Sequence, residues 1–292
     1  MSRELRLRIV SGLILAIVVL AATWAGGLVF ALLSILIGLL VFHEWTAMGR
    51  SHPTVGADTR LTFLTAAGWI LLVVIAALVA AKLFLPALAI CILALLVAFV
   101  GLRQPAIRWI AGGVFYAGAS MVSLAAIRGG AEGGLYAMLF VFALVWATDI
   151  MAYFTGRAIG GPKLAPSISP GKTWSGAIGG AIFGVLAAIG VVFGFGGVPN
   201  VAFALLALLL SAVSQMGDLF ESALKRRSGV KDSSHLIPGH GGVMDRVDGL
   251  VAAAFLLFVV VAVAGLADGG HNSEVGDTLR AWSGIFSAVD GD

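Results

Sequence analysis

Charge is what this chain has least of. Asp, Glu, Lys and Arg make up 11% of its 292 residues, against about 25% in an ordinary soluble domain. Fifteen acids and 18 bases cannot solvate a globule that is 60% hydrophobic, with a mean hydropathy of +1.05. A soluble enzyme, a disordered chain and a nucleic-acid-binding domain are therefore excluded. The pI near 9.3 does not revive the last of these, because the net charge is only +3. Cysteine is nearly absent. Cys91, in an apolar run, is the single one. An internal disulfide and a Cys-based zinc site are excluded, and the residue reads as a small core or lipid-facing side chain. Heptad, solenoid and low-complexity repeats are missing, as is the two-fold similarity that many transporters show between halves. The apolar runs do not alternate and are too long for barrel strands.

Those runs suit membrane helices, which need about 20 apolar residues each. Nine spans are expected, at 9–24, 27–43, 61–81, 83–101, 107–127, 134–157, 174–195, 201–224 and 245–266. The expected fold is an all-α polytopic membrane bundle. Arg3, Arg6 and Arg8 precede the first span, which is too long for a signal-peptide core and reads as a retained helix. With nine alternating spans, 15 of the 18 bases fall on one side, leaving Lys82, Arg128 and Arg280 on the other. The positive-inside rule makes the first side cytoplasmic. The N-terminus is then inside and the C-terminus outside. Glycines within spans, such as Gly176, Gly179, Gly180 and Gly184, read as sites of close helix packing.

The polar residues gather in 148–176 and 214–249. The first five spans show almost nothing ionisable at depth. Residues 1–130 therefore read as a transmembrane scaffold, 131–266 as a catalytic region of about four helices with cytoplasmic loops, and 267–292 as a short polar tail. Asp218, Glu221, Ser222 and Lys225 share a helix face at i, i+3, i+4 and i+7. Asp245 and Asp248 share another, in the first turn after Gly241-Gly242, where the helix dipole favours carboxylates. Clustered carboxylates of this kind suit Mg²⁺; the alternative is neutralisation by Lys225 and Arg246. Lys225-Arg226-Arg227, Lys231 and Pro238-Gly239-His240-Gly241-Gly242 add bases and flexible glycines that can approach phosphate. Acids for a metal and bases for phosphates are the parts of phosphoryl or nucleotidyl transfer. Lys172, before the seventh span, can also reach phosphate. Its Gly171-Lys172-Thr173 is not a Walker A site, because Pro166 stands where that motif needs glycine and no strand is expected before it. Asp149 is a fourth acid, a base-recognition residue, or a partner of Arg157 or Lys172.

Ser222 to Asp248 reads SALKRRSGVKDSSHLIPGHGGVMDRVD. This resembles the signature of the phosphatidate cytidylyltransferases, or CDP-diacylglycerol synthases: S-x-x-K-R-x4-K-D, a spacer, P-G-H-G-G, then x-x-D-R-x-D. Trp146–Tyr153, Ser169–Gly176 and Gly217–Ser222 are similar to further pieces of that family. Residues 1–130 share only its hydropathy profile. Gly171, Ser175 and Gly249 depart from residues common in the family.

The resemblance implies that CTP and phosphatidic acid give CDP-diacylglycerol and pyrophosphate. It implies catalytic Asp218, Asp245, Asp248 and Lys172, with the three aspartates holding Mg²⁺ and leaving room for a second, monovalent or divalent, cation. Lys225, Arg226, Lys231, Arg246, His240, Asp149, Gly241 and Gly242 become substrate-binding residues. Membrane lipids are partners, nucleic acid is not, and a homodimer is a permitted assembly. The expected location is the cell membrane, the inner one in a bacterium, with the site facing the cytoplasm. The alternatives are a CTP-dependent lipid kinase, which would transfer the γ-phosphate, and an organic-anion transporter, which would need charge near the bilayer midplane.

Overall fold

The computed structural model describes residues 3–55, 59–100, 104–267 and 275–284. Ten helices occur among them: α1 Arg3–Ala25, α2 Gly27–Ser51, α3 Thr59–Ala80, α4 Phe84–Val100, α5 Pro105–Arg128, α6 Glu132–Ile159, α7 Trp174–Gly194, α8 Val201–Arg227, α9 Met244–Ala267 and α10 Val275–Trp282. Between α6 and α7 two short strands, β1 Lys163–Ala165 and β2 Ser169–Thr173, pair antiparallel. Eight helices, α1 to α3 and α5 to α9, are long and apolar enough to cross a membrane. The chain is a multi-pass helical membrane protein. The fourth expected span, α4, has 17 residues, or about 25 Å at 1.5 Å per residue. Of the break expected between the fourth and fifth spans, residues 101–103 lie outside the described residues, and α5 begins at Pro105, two residues before its expected start.

Helix ends follow local chemistry. Gly26 and Gly27 take positive φ of 62° and 50° and separate α1 from α2. Pro105 opens α5, where its missing N–H costs nothing. Gly160, at φ 68°, ends α6. Thr173 caps α7 by accepting from Gly176 N at 3.1 Å. The last turn of α8 runs past its expected end through Lys225, Arg226 and Arg227, where cations suit the helix C-terminus.

The described chain forms two compact units: residues 1–126 with 221–247, and residues 127–220 with those after 247. In the first, α5 is the most enclosed span. Trp45 and Trp109 exchange hydrogen bonds, each indole N–H reaching the other's carbonyl at 2.9 and 3.1 Å, and Tyr116 stacks on Trp45. A Cβ at Gly113 would come within 2.6 Å of the Trp45 ring. Cys91 is a core residue, packed where Gly118 has no side chain.

In the second unit, α7 packs on α6 through its glycine stripe, as expected. A Cβ at Gly176 would lie 2.7 Å from the Ala152 carbonyl, and one at Gly180 would lie 2.6 Å from that of Thr148. Buried hydroxyls of Thr148 and Ser211 join α6 to α8 at 2.8 Å. Two elements differ from expectation. Ser169–Thr173 is a strand of a hairpin that begins at Lys163, whereas no strand was expected there; it pairs antiparallel and is no P-loop. The stretch expected as a polar tail contains α10, which buries Val275 and Leu279. Residues 268–274 and 285–292 of that tail lie outside the described residues.

Candidate functional site

The second unit carries one group of site residues. β2 ends at Thr173, directly before α7 begins at Trp174, and its Lys172 meets Asp218 of α8 in an ion pair. Both side chains keep partial access to solvent. Asp149 of α6 lies within electrostatic range of both. Arg157, one of its expected partners, donates to the Tyr153 hydroxyl at 2.8 Å. Gly217 explains how Asp218 meets α9: a Cβ there would sit 2.7 Å from the Asp248 carbonyl and 2.6 Å from Ala252 Cβ. The helices thus cross where Asp218 and Asp248 begin. Asp248 Oδ1 accepts from Gly249 N at 2.8 Å.

The first unit carries the second group. Lys225, in the last turn of α8, bridges Glu221 at 2.6 Å and Asp245 at 2.5 Å. The other oxygen of Asp245 accepts from Ser233 N at 2.9 Å, Ser233 Oγ at 2.8 Å and Gly242 N at 2.8 Å. Gly242, expected to offer its N–H to a phosphate, gives it to Asp245. Lys225 is thus a partner of the carboxylates, the arrangement set beside a metal as the alternative. Arg246 is not their neutraliser here, since its guanidinium donates twice to the His240 carbonyl, at 3.1 and 2.8 Å. Lys231, His240, Gly241 and Arg246 line a cavity of about 570 Å³. Arg226 is exposed at the end of α8.

Glu44 of α2 stands one residue past the second expected span, 27–43, and was assigned no role from the sequence. It is 0% exposed, and every partner it has in this loop donates. Ser234 Oγ lies at 2.6 Å, Val243 N at 2.8 Å, Met244 N at 2.7 Å and Ser233 Oγ at 3.1 Å. The Ser233 hydroxyl has one proton and stands between Glu44 and Asp245, so it serves one carboxylate at a time. Val243 and Met244 open α9, so Glu44 caps that helix from α2. The signal was in the sequence: a lone acid inside an apolar span is a functional or structural fixture by default.

His240 sits outside the spans. Burial, then the nearby Arg246 and Arg8 guanidinium groups, hold its pKa below the ordinary 6.5. Ser11 Oγ meets its Nδ1 at 2.8 Å.

Carboxylate oxygens are hard donors and match a divalent cation in kind. Asp218 and Asp248 also start from one helix crossing, which fits a shared cation. Asp245 fits less directly, because Lys225, Ser233 and Gly242 already occupy its oxygens. Among the described residues, no three His, Cys, Asp or Glu gather closely enough to hold a metal.

Acids beside lysines in a membrane-embedded helical frame, with a glycine-rich basic loop between two of its spans, define a membrane enzyme that handles phosphate groups. The cytidylyltransferase family matches residues 6–264, and the chain belongs to that family. It is thus a nucleotidyltransferase. The phosphatidate cytidylyltransferase of Brucella abortus is 47% identical over 270 residues, which span 89% of this chain and 94% of that protein. The phosphatidate cytidylyltransferase of Haemophilus influenzae is 56% identical over 125 residues, 41% of this chain and 43% of its own. That of Bacillus subtilis is 41% identical over 138 residues, 47% of this chain and 51% of its own.

Proposed function

We propose that this chain transfers the cytidylyl group of CTP to phosphatidic acid, giving CDP-diacylglycerol and pyrophosphate. The observation that carries the reading is the pairing of acids with lysines inside the signature residues, Lys172 with Asp218 and Lys225 with Asp245. A lysine held by a carboxylate next to the protein surface can exchange that carboxylate for phosphate. The carboxylate it leaves is then available to a cation.

The lipid phosphate is the nucleophile and is already anionic, so no strong base is needed. One of its oxygens bonds to the α-phosphorus of CTP. The bond from that phosphorus to the oxygen bridging to the β-phosphate breaks, and pyrophosphate leaves with the electron pair. Anion meets anion, so the protein works by charge neutralisation and in-line positioning. Lys172, Lys225, Arg226, Lys231 and Arg246 bind phosphates. His240 and the Gly241-Gly242 backbone contact the pyrophosphate portion, and Asp149 contacts the cytosine or serves as a further acid. Asp218, Asp245 and Asp248 are the residues that would hold Mg²⁺, and Asp245 would have to give up its tie to Lys225 to do so. When bound, the ion supplies charge stabilisation to the phosphoryl oxygens.

Residues 131–266 carry the reacting groups. Residues 1–130 are the scaffold, and Glu44 is where that scaffold grips the catalytic loop. The loop after Lys225 faces the cytoplasm of the cell membrane, the inner one in a bacterium. This is supported by the bias of bases toward one set of loops.

The test is product formation by purified protein in detergent. Cytidine-labelled CTP should pass into the lipid fraction only when phosphatidic acid and a divalent cation are both present. Pyrophosphate should appear in equal amount. Labelled lipid formed without pyrophosphate would sink the reading.

A further inference from the structure

α1 does more than cross the membrane. Ser11 Oγ lies 3.0 Å from the Pro238 carbonyl and 2.8 Å from His240 Nδ1. Gly239 has φ +77°, and a Cβ there would come within 2.9 Å of Arg8 Cγ. A Cβ on Gly12 would stand 3.3 Å from the His240 ring. Arg8, Ser11 and Gly12 therefore form a wall against the Pro238–Gly241 turn. Arg8 joins Lys231 and Arg246 on the lining of the cavity of about 570 Å³, with His240 beside them and Asp232 as the acid. Three cations against one carboxylate make this an anion site, and arginine's fork suits phosphate oxygens.

The cavity's α1 wall runs on into an apolar surface. Leu13 is 60% and Ile14 55% exposed, so in a bilayer they meet acyl chains. A ligand with a phosphate at Arg8 and acyl chains along α1 satisfies both surfaces. A nucleotide phosphate shares the charge chemistry but makes no use of the apolar wall.

We propose that the α1 side of this cavity, at Arg8, is the subsite for the phosphate monoester of the lipid substrate, beside the His240–Gly242 turn that serves the pyrophosphate portion of CTP, and that Arg8 is a substrate-binding residue. The proposal rests on the reading of the chain as an enzyme acting on phosphatidic acid. It gives the first helix a part in specificity that no family signature residue in it would suggest.

The experiment measures initial rates of the full chain in mixed micelles. Phosphatidic acid is varied at saturating CTP, and CTP at saturating phosphatidic acid. Arg8→Gln is expected to raise KM for phosphatidic acid by about 10-fold, the loss of a charge-assisted hydrogen bond. Its kcat and its KM for CTP should stay near wild type. Arg8→Lys should recover much of the loss by keeping the charge. Lys231→Gln, on another wall of the same cavity, should raise the same KM and serves if Arg8→Gln does not purify monodisperse. Unchanged KM for phosphatidic acid in these variants would overturn the proposal, as would a rise confined to CTP. A wild-type protein that makes no CDP-diacylglycerol would instead defeat the functional reading, which separates the two failures.

Discussion

Replacing Glu44 by glutamine removes a charge with almost no change of shape. In the wild type, one carboxylate oxygen takes Ser234 Oγ and Val243 N, and the other takes Met244 N with a share of Ser233 Oγ. The glutamine amide has one acceptor oxygen and one NH₂. Whichever way it turns, its NH₂ meets one backbone N–H of the α9 start, and that donor loses its partner. The serine hydroxyl on that side can rotate and accept; the backbone N–H cannot. A buried donor left unsatisfied costs about 1–3 kcal/mol, and bonds to a charged acceptor are worth more than those to a neutral one. The expected loss is therefore about 2–4 kcal/mol, concentrated in Ser233–Met244. Glu44→Ala should cost more, since every donor loses its acceptor and a void remains. The assay is hydrogen exchange of the loop amides in detergent-purified protein, read beside the thermal midpoint. Val243 and Met244 amides should exchange at least about 30-fold faster in Glu44→Gln, the equivalent of 2 kcal/mol. Unchanged protection at these two amides, with an unchanged midpoint, would refute the capping role.

The carboxylate assignments predict a common loss: Asp218→Asn, Asp245→Asn and Asp248→Asn should each lower kcat on the order of 10³-fold. The double variant Asp245→Asn/Asp248→Asn should be little worse than either single one. Near-wild-type turnover with an unchanged Mg²⁺ midpoint in Asp245→Asn would leave that residue as a partner of Lys225 only. His240 and His52 have pKa values lowered from 6.5, mainly by burial. Between the lowered value and 6.5 the folded state binds fewer protons than the unfolded one. Their stabilising contribution is thus full above pH 6.5 and declines as pH falls below it; His240→Gln should flatten the acid side of a midpoint-against-pH curve. Cysteines placed after Lys225 and after Asp268, in a Cys91→Ala background, should label from opposite sides with an impermeant thiol reagent. Labelling from one side would break the proposed topology.

The helical spans were legible because hydropathy is a sum over some 20 residues, and such sums survive local error. The α7 glycines were legible as packing surface for a similar reason: four small residues along one span leave no other use for that face. Pairings across the sequence were not. Glu44 meets donors about 200 positions away, and its own neighbours say only that a lone acid sits in an apolar helix. Asp245 and Asp248 share a helix face, yet Asp245 is held by Ser233 and Lys225, which only the folded loop reveals. The hairpin escaped notice because a strand of three residues shows no alternation. α10 has eight residues, too few for a periodic signal, and Gly133 and Gly276 allow its close seat on α6.

The most direct test of the chemistry is the fate of two labels. Purified protein receives phosphatidic acid and CTP carrying one isotope at the α-phosphate and another at the γ-phosphate. Nucleotidyl transfer puts the α label in lipid and the γ label in pyrophosphate. A γ label in lipid with CDP in solution would contradict it, and would make the chain a kinase.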